Sequence, residues 1–500
     1  MANPIQIKID RFNGGIADSP RGVNPSEFQI SKHFDVSTDP SRLIPNRSLE
    51  ADTHDGSTST GMKQYLVRDF IYASASTKLY GLGQTGAGLT KVVYKADATT
   101  GNWTLPASSE GNGAVQNGCF FEYKDYVWGF QGTNQIFKWG LLSGTPAITN
   151  SVSTVASTIT SVANGIIAAD GNAYMAYNNV VVRIATDTTT ITDSAKTVPT
   201  NYKITSLENY GSYMAIGCSP KDSFNGTSKV FFWNLSSDLF AETIDWGEGD
   251  LRVLGVIEGL LVGVSDRYLN NATGAGKGSL VIRGYSGGAA QVLKEVYTQA
   301  LVGKTIPISK AVKNDRLFFA AKIMTNSSGT EYHEGLWSFG RKNANYPYAL
   351  TLDVVCEEAD TDGIQAFATA GNFFFIAHSL DGSISKTNDA ATFAYTSIYE
   401  SLIFDFGDSS IDKRLERLKV TFKKLVSGES LTAKYRVDGA TSWTTIGTYS
   451  TVNKTERSFI NIEATAVKFA SGKEYEFRLE STGGLEITSF TAVASPLLTV

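Results

Sequence analysis

Cys119-Phe-Phe-Glu-Tyr123, Tyr126-Val-Trp-Gly-Phe130 and Gln135-Ile-Phe-Lys-Trp139 are three short apolar runs, separated by a turn and by Gly132-Thr-Asn134. Runs of this length, rich in aromatic and β-branched residues and bounded by turn formers, are the signature of strands in tight antiparallel succession. The same grouping recurs on both sides. Upstream lie Tyr65–Ala73, Lys78–Leu82 and Leu89–Lys95. Downstream pairs are Gly165–Ala169 with Ala173–Tyr177, Ile204–Glu208 with Tyr213–Gly217, and Leu251–Ile257 with Leu260–Val264. Ile308–Val312 with Leu317–Ala321 and Gly363–Ala368 with Phe373–His378 complete the series. Further third strands are readable at Val180–Ile184, Lys229–Trp233, Ser279–Gly284 and Gly335–Phe339. About seven units spaced by roughly 45 residues match the period of four-stranded propeller blades. The expected fold is therefore all-β, a β-propeller over residues 63–399. Its least regular unit, Gly363–Ser397, is expected to borrow a closing strand from around residues 50–70.

The flanks depart from the repeat. Residues 1–62 are polar and rich in turn signals, such as Asn13-Gly14-Gly15, Asp39-Pro40 and Ile44-Pro45. They read as an extended N-terminal arm, packed on the propeller or on a neighbouring subunit, with a helical turn at Phe28–Lys32. After residue 400 the alternation becomes strict. Leu431, Ala433, Tyr435 and Val437 alternate with Thr432, Lys434 and Arg436, and Tyr475, Phe477 and Leu479 with Glu476 and Arg478. Period-two alternation marks antiparallel sheets with one buried face. Seven such runs predict a C-terminal β-sandwich over 400–500. The connections between second and third strands lengthen at Ser219–Ser228, Asp266–Gly278 and Lys322–Glu334. Equivalent loops of successive blades fall on one face, so that face is expected to be specialised for contact.

Composition agrees with short strands and tight turns. Charged residues make up 19 %, below the usual quarter, and Thr, Ser, Asn and 47 Gly fill the gap. Gly and Asn supply the positive φ that hairpin turns demand. A net charge of −5, with no Lys/Arg run, argues against gripping nucleic acid by phosphate neutralisation. Cys119, Cys218 and Cys356 lie far apart in or beside apolar strands and read as buried free thiols. The N-terminus shows no secretory signal, and no apolar run is long enough to span a membrane, so synthesis in a cytoplasm without membrane insertion is expected.

Motifs that carry chemistry elsewhere read blandly here. Gly81-Leu-Gly83-Gln-Thr-Gly86 matches a dinucleotide fingerprint but leads into a strand rather than a helix. Gly274-Ala-Gly276-Lys-Gly278-Ser279 lacks both the spacing and the Ser/Thr of a phosphate loop. His33, His54, His333 and His378 are scattered, and the acidic run Glu357, Glu358, Asp360, Asp362 reads as a solvated turn. Thr387–Phe393 and Asp438–Trp443 resemble the Asp-box turns of sialidase-like propellers, which are structural. There is no Gly-x-Ser-x-Gly elbow and no evident paired-carboxylate constellation. No enzyme activity and no cofactor are expected.

Phe12-Asn-Gly14-Gly15-Ile16, the stretch from Phe28 through Phe34 to Val36, and Pro40-Ser-Arg42-Leu43-Ile44-Pro45-Asn-Arg47 carry a family resemblance. So do Ile403–Gly407, Lys413–Phe422, Val437-Asp438-Gly439 and Trp443 near the other end. In order and pattern the chain resembles the tail nozzle, or tail-hub, proteins of tailed bacteriophages. The resemblance implies a structural virion protein made in the host cytoplasm. It implies a homo-oligomer, hexameric if nozzle-like, around a DNA exit channel that DNA crosses without sequence-specific binding. Other tail or adaptor proteins and tail fibres would be its partners. Phe12, Gly14, Gly15, Phe28, Phe34, Arg42, Leu43, Pro45 and Arg47 would form the assembly arm. The chain lacks the large insertions of some nozzles, which counts against a gating role. Two rival expectations remain open: a carbohydrate-binding or glycan-degrading propeller, and a capsid decoration protein.

Overall fold

In the computed structural model, residues 4–19, 21–22, 24–46, 49–52, 66–73, 76–84, 87–95, 103–104, 111–114, 119–143, 147–221, 226–268, 277–299, 309–324, 332–341, 343–356, 363–378, 384–387, 395–461 and 469–497 are described. Among them every regular element is a β-strand. Two compact units emerge. One comprises Met1–Ser48, Ile323–Val355 and Asn388–Val500, and the other Leu49–Lys322 and Cys356–Thr387.

The second unit is propeller-like: a succession of four-stranded antiparallel meanders. The first sheet holds Leu66–Ala73, Lys78–Gln84, Thr90–Lys95 and Trp103–Thr104. The second holds Phe121–Tyr123, Tyr126–Gln131, Gln135–Gly140 and Ala147–Thr154. The third holds Val162–Ile167, Ala173–Tyr177, Val180–Ile184 and Ile191–Thr197, and the fourth Tyr202–Tyr210, Tyr213–Pro220, Thr227–Trp233 and Glu242–Glu248. The fifth contains Asp250–Ile257, Leu260–Tyr268, Lys277–Tyr285 and Gln291–Gln299, and its outer strand also hydrogen-bonds to Arg316–Met324. Arg316–Met324 forms a hairpin with Ala311–Lys313. The last sheet combines Ile364–Ala370, Phe373–His378 and Ile384–Thr387 with Leu49–Ala51, whose residues pair antiparallel with Ser385–Thr387. The borrowed strand thus comes from the start of the expected segment.

Second strands lie between sheets, and two of them, Ala173–Tyr177 and Phe373–His378, are buried at every position. Outer strands meet solvent, so Glu242–Glu248 buries only Ile244 and Trp246. Neighbouring sheets share apolar clusters. Tyr80 and Leu82 of the first pack with Val127 and Trp139 of the second. Trp128 and Phe130 pack with Met175 and Val182 of the third, Tyr174 and Val181 with Ile216 and Trp233 of the fourth, and Val230 and Trp246 with Leu254 and Leu261 of the fifth. Phe70 and Trp103 of the first sheet pack on Phe373 and Phe375 of the last. Close approach explains Gly165: a Cβ there would stand 2.1 Å from the Phe121 ring.

In the first unit two sheets face each other. The five-stranded sheet runs Ile5–Ile9, Ile487–Pro496, Lys413–Phe422, Glu456–Ile460, with Ser471–Gly472 also paired to Lys413–Phe422. The six-stranded sheet runs Gly15–Ile16, Glu27–Lys32, Ser397–Ser401, Tyr475–Thr482, Ser430–Val437, Thr444–Tyr449. Tyr399 of the second sheet meets Phe490 of the first at 5.9 Å between ring centroids, and Phe477 meets Phe490 at 6.0 Å. The segment expected as an extended arm therefore contributes an edge strand to one sheet and two strands to the other. Phe28–Lys32 is not a helical turn but part of strand Glu27–Lys32, because its backbone groups are taken by the ladder to Ser397–Ser401.

Candidate functional site

The residues singled out as an assembly arm are drawn together, but inward. Phe12 is wholly buried and meets Tyr399 edge-on at 5.4 Å, and Phe28 meets the same ring at 5.9 Å. Gly14 leaves no room for a side chain, since a Cβ would come within 2.6 Å of the Glu27 amide nitrogen. Gly15 has a φ of 76° and opens the short parallel ladder to Glu27–Phe28. Phe34 and Pro45 are buried partners in a two-residue ladder. Leu43 is fully buried, and its backbone exchanges hydrogen bonds with Ile487 at 2.8 and 3.1 Å. Arg42 donates to Asp39 at 2.6 Å and to Glu486 at 2.8 Å. Hydrogen bonds from the Ser41 hydroxyl and amide, then from Arg42, pull the Asp39 carboxyl down to about 2. Arg47 lies outside the described residues. These side chains are the seam by which the N-terminal segment is sewn to the C-terminal sheets.

The remaining motifs fall as follows. Gly81 and Gly83 are strand residues, as are Gly278 and Ser279, while 85–86 and 274–276 lie outside the described residues. His54, Arg47, the acidic run 357–362, residues 388–393 of the first Asp-box-like turn, and the middles of the three long loops also lie outside them. Cys119, Cys218 and Cys356 are free and buried, as the sequence suggested. Among the described residues no group of three or more His, Cys, Asp or Glu is placed to hold a metal ion. In the second Asp-box-like turn, Asp438 accepts the amides of Lys473 and Glu474 at 2.8 and 2.9 Å, and Trp443 lies against the Arg436 guanidinium, 4.4 Å from ring centroid to Cζ. Beside it an open cleft of about 610 Å³ is lined by Arg21, Arg436, Asp438 and Glu474, with Ile403 and Ser409. Arg21 pairs with Glu474 at 2.7 Å across it.

A second polar constellation, invisible as a motif, occupies one end of the fifth sheet. Asp250 and Asp266 are direct cross-strand partners. One oxygen of the buried Asp250 accepts Arg252 at 2.7 Å and Lys203 at 3.4 Å, and the other has no hydrogen-bond partner among the described residues. Burial, helped by Asp250 and opposed by Arg252, raises Asp266 to about 6. A carboxyl raised this far by burial can hold and release a proton near neutrality. Nothing in the spacing of these aspartates in sequence signals their pairing, which depends on the hairpin register.

No family model matches the chain, and no curated protein does. Among solved structures it is similar to the Pan2 WD40 domain of Neurospora crassa, with 11 % identity and a TM-score of 0.42 over 69 % of this chain and 96 % of that one. It is also similar to an exo-β-1,3-galactanase of Phanerochaete chrysosporium solved with galactose, with 8 % identity and a TM-score of 0.33 over 89 % of this chain and 100 % of that one. At such scores neither likeness bears on activity.

Proposed function

We propose that the chain is a structural component of a bacteriophage virion, a tail nozzle or hub protein that works through protein–protein contacts. In this reading the repeated sheets close as a seven-bladed β-propeller. The sixth blade is built around Arg316–Met324, and Leu49–Ala51 is the closing strand. Supporting closure, Phe318 meets Phe374 of the last sheet at 5.0 Å, and Leu317 stands where a Cβ on Gly255 would come within 2.6 Å. The facing sheets of the other unit form its β-sandwich. The observation that carries the reading is the stitching of the N-terminal segment. Residues 5–32 supply strands to both sheets of one unit, and 49–51 supply the outer strand of the last sheet in the other. Hydrogen-bond ladders between distant parts of one chain resist peeling, which suits a part that transmits force.

The test is the oligomeric state of the purified chain, by light scattering and negative-stain imaging, together with mass spectrometry of purified virions. A ring-shaped oligomer and a stoichiometric virion protein are expected. A monomer absent from particles would overturn the proposal. The glycan-binding alternative draws on the cleft beside Arg21, Arg436 and Asp438, whose size suits a small ligand. Retention on a glycan array that is lost in Arg436→Met would favour it.

A further inference from the structure

Arg283 is 7 % exposed on the third strand of the fifth sheet. Among the described residues its guanidinium has a single hydrogen bond, a long one of 3.4 Å from Nη1 to the Glu248 carbonyl oxygen, and no ion pair. A buried charge left so poorly compensated is strongly destabilising, as when one partner of a buried pair is missing. Carboxylates stand nearby but are engaged elsewhere: Arg267 pairs with Glu295 at 2.9 Å and with Glu248 at 3.8 Å.

What surrounds Arg283 is a set of idle donors. The Gly263↔Arg283 and Arg267↔Ser279 registers place Ser265, Arg267, Ser279 and Arg283 on one face of the sheet. Among the described residues the Ser265 and Ser279 hydroxyls and Arg267 Nε are buried without hydrogen-bond partners. The fourth sheet brings another donor to the same face. Trp246 is fully buried with Nε1 unpartnered among the described residues, and a Cβ on Gly263 would lie 2.7 Å from that nitrogen. A Cβ on Gly247 would lie 2.7 Å from Arg283 Cζ, so the guanidinium rests against the residue next to Trp246. Indole N–H and guanidinium N–H groups donate only and can be satisfied by acceptors alone. Buried polar atoms are almost always paired, so this many idle donors on one face call for an acceptor between the fourth and fifth sheets.

We propose that this interface binds one free inorganic oxyanion, phosphate or sulfate, with Arg283 as its charge partner and Trp246, Ser265 and Ser279 as hydrogen-bond donors. Tetrahedral oxyanions offer several strong acceptors and match the guanidinium fork. The burial of Arg283 favours the free ion over an ester on a larger molecule. Arg267 is more exposed and already held by Glu248 and Glu295, so it is not among the ion's partners. The inference stands apart from the virion role.

The experiment follows thermal unfolding and equilibrium dialysis of the full chain with inorganic phosphate against potassium chloride at matched ionic strength. A specific rise in Tm and retention of one phosphate per chain are expected for the wild type, with both lost in Arg283→Met. Trp246→Phe keeps the packing and removes one donor, so binding about tenfold weaker is expected. Should Arg283→Met not fold, wild type and Trp246→Phe decide alone. A wild-type response no larger than with chloride, or a phosphate response unchanged in either folded variant, would overturn the proposal. A phosphorylated sugar run in parallel separates the sources, and tighter binding of the ester than of the free ion would count against it.

Discussion

Lys95 sets its ammonium 2.6 and 2.8 Å from the two carboxylate oxygens of Asp52, and both side chains are wholly buried. Asp52 follows the borrowed strand Leu49–Ala51 and donates its amide to the Ile384 carbonyl, whereas Lys95 belongs to the first sheet. The Trp103 indole donates to the same carboxylate at 2.8 Å. The pair therefore latches the last sheet to the first. Removing one partner strands a buried charge, so Asp52→Ala is expected to cost about 3–5 kcal/mol. The apolar double substitution Asp52→Leu with Lys95→Met should recover much of that loss. Urea unfolding of Asp52→Leu, Lys95→Met and the double variant gives the coupling, and simple additivity would show that no latch exists.

Asp266 predicts a pH dependence. Its carboxyl titrates near 6 in the folded protein, against an ordinary 3.8, chiefly through burial. Below pH 4 both states hold the proton and the group is neutral to stability. Between pH 4 and 6 the unfolded chain ionises first, so stability falls as pH rises, and above that the penalty levels at about 2–3 kcal/mol. Asp266→Asn removes this penalty. The variant should gain on the wild type as pH rises from 4 to 7, and parallel stability profiles would refute the assignment.

Legibility tracked burial on two faces. Ala173–Tyr177 and Phe373–His378 could be read to the residue because both are buried at every position and apolar at nearly all of them. Outer strands such as Glu242–Glu248 and Ile191–Thr197 bury few positions, and composition does not distinguish them from loops. In the N-terminal segment Ile5, Ile7 and Ile9 do alternate, a usable signal outweighed by the surrounding turns. Strand Glu27–Lys32 is masked by the buried polar residues Gln29 and Ser31, so no period-two pattern emerges. Charged groups such as Lys95, Arg283 and Asp266 look like surface residues in sequence, since only the tertiary register brings Asp52, Trp246 or Asp250 to them.

Tyr399 lies at the centre of the facing sheets with its hydroxyl buried and, among the described residues, unpartnered. Its ring makes the contacts to Phe12, Phe28 and Phe490, and burial drives the phenol pKa upward. Tyr399→Phe keeps those contacts and deletes a group that pays desolvation without a hydrogen bond. A gain of about 1 kcal/mol is expected. Tyr399→Ala should instead lose about 3–5 kcal/mol through the cavity it opens. A loss on Tyr399→Phe in chemical denaturation would mean that the hydroxyl has a partner, such as a buried water.

Lys413 is 1 % exposed, and among the described residues the hydrogen bonds of its ammonium go to backbone carbonyls: Ile411 at 2.8 Å, Lys473 at 3.2 Å, and Asp408. Its own carbonyl accepts the Tyr475 hydroxyl at 2.7 Å. One side chain thereby fastens the 408–411 turn and the segment before Tyr475–Thr482 to the strand between them. Lys413→Met preserves the aliphatic stem but leaves three carbonyls without their donor. Hydrogen bonds to a charged group contribute about 1.5–3 kcal/mol net, so a loss at or above that range is expected. Lys413→Arg keeps the charge but sets a larger head group against carbonyls already 2.8 and 3.2 Å from the ammonium, so it should recover little. Hydrogen exchange localises the effect: amides of 408–413 and 473–475 should lose protection in Lys413→Met before the rest of the facing sheets. A uniform loss across both sheets would show that the lysine contributes by packing rather than by tying the turns.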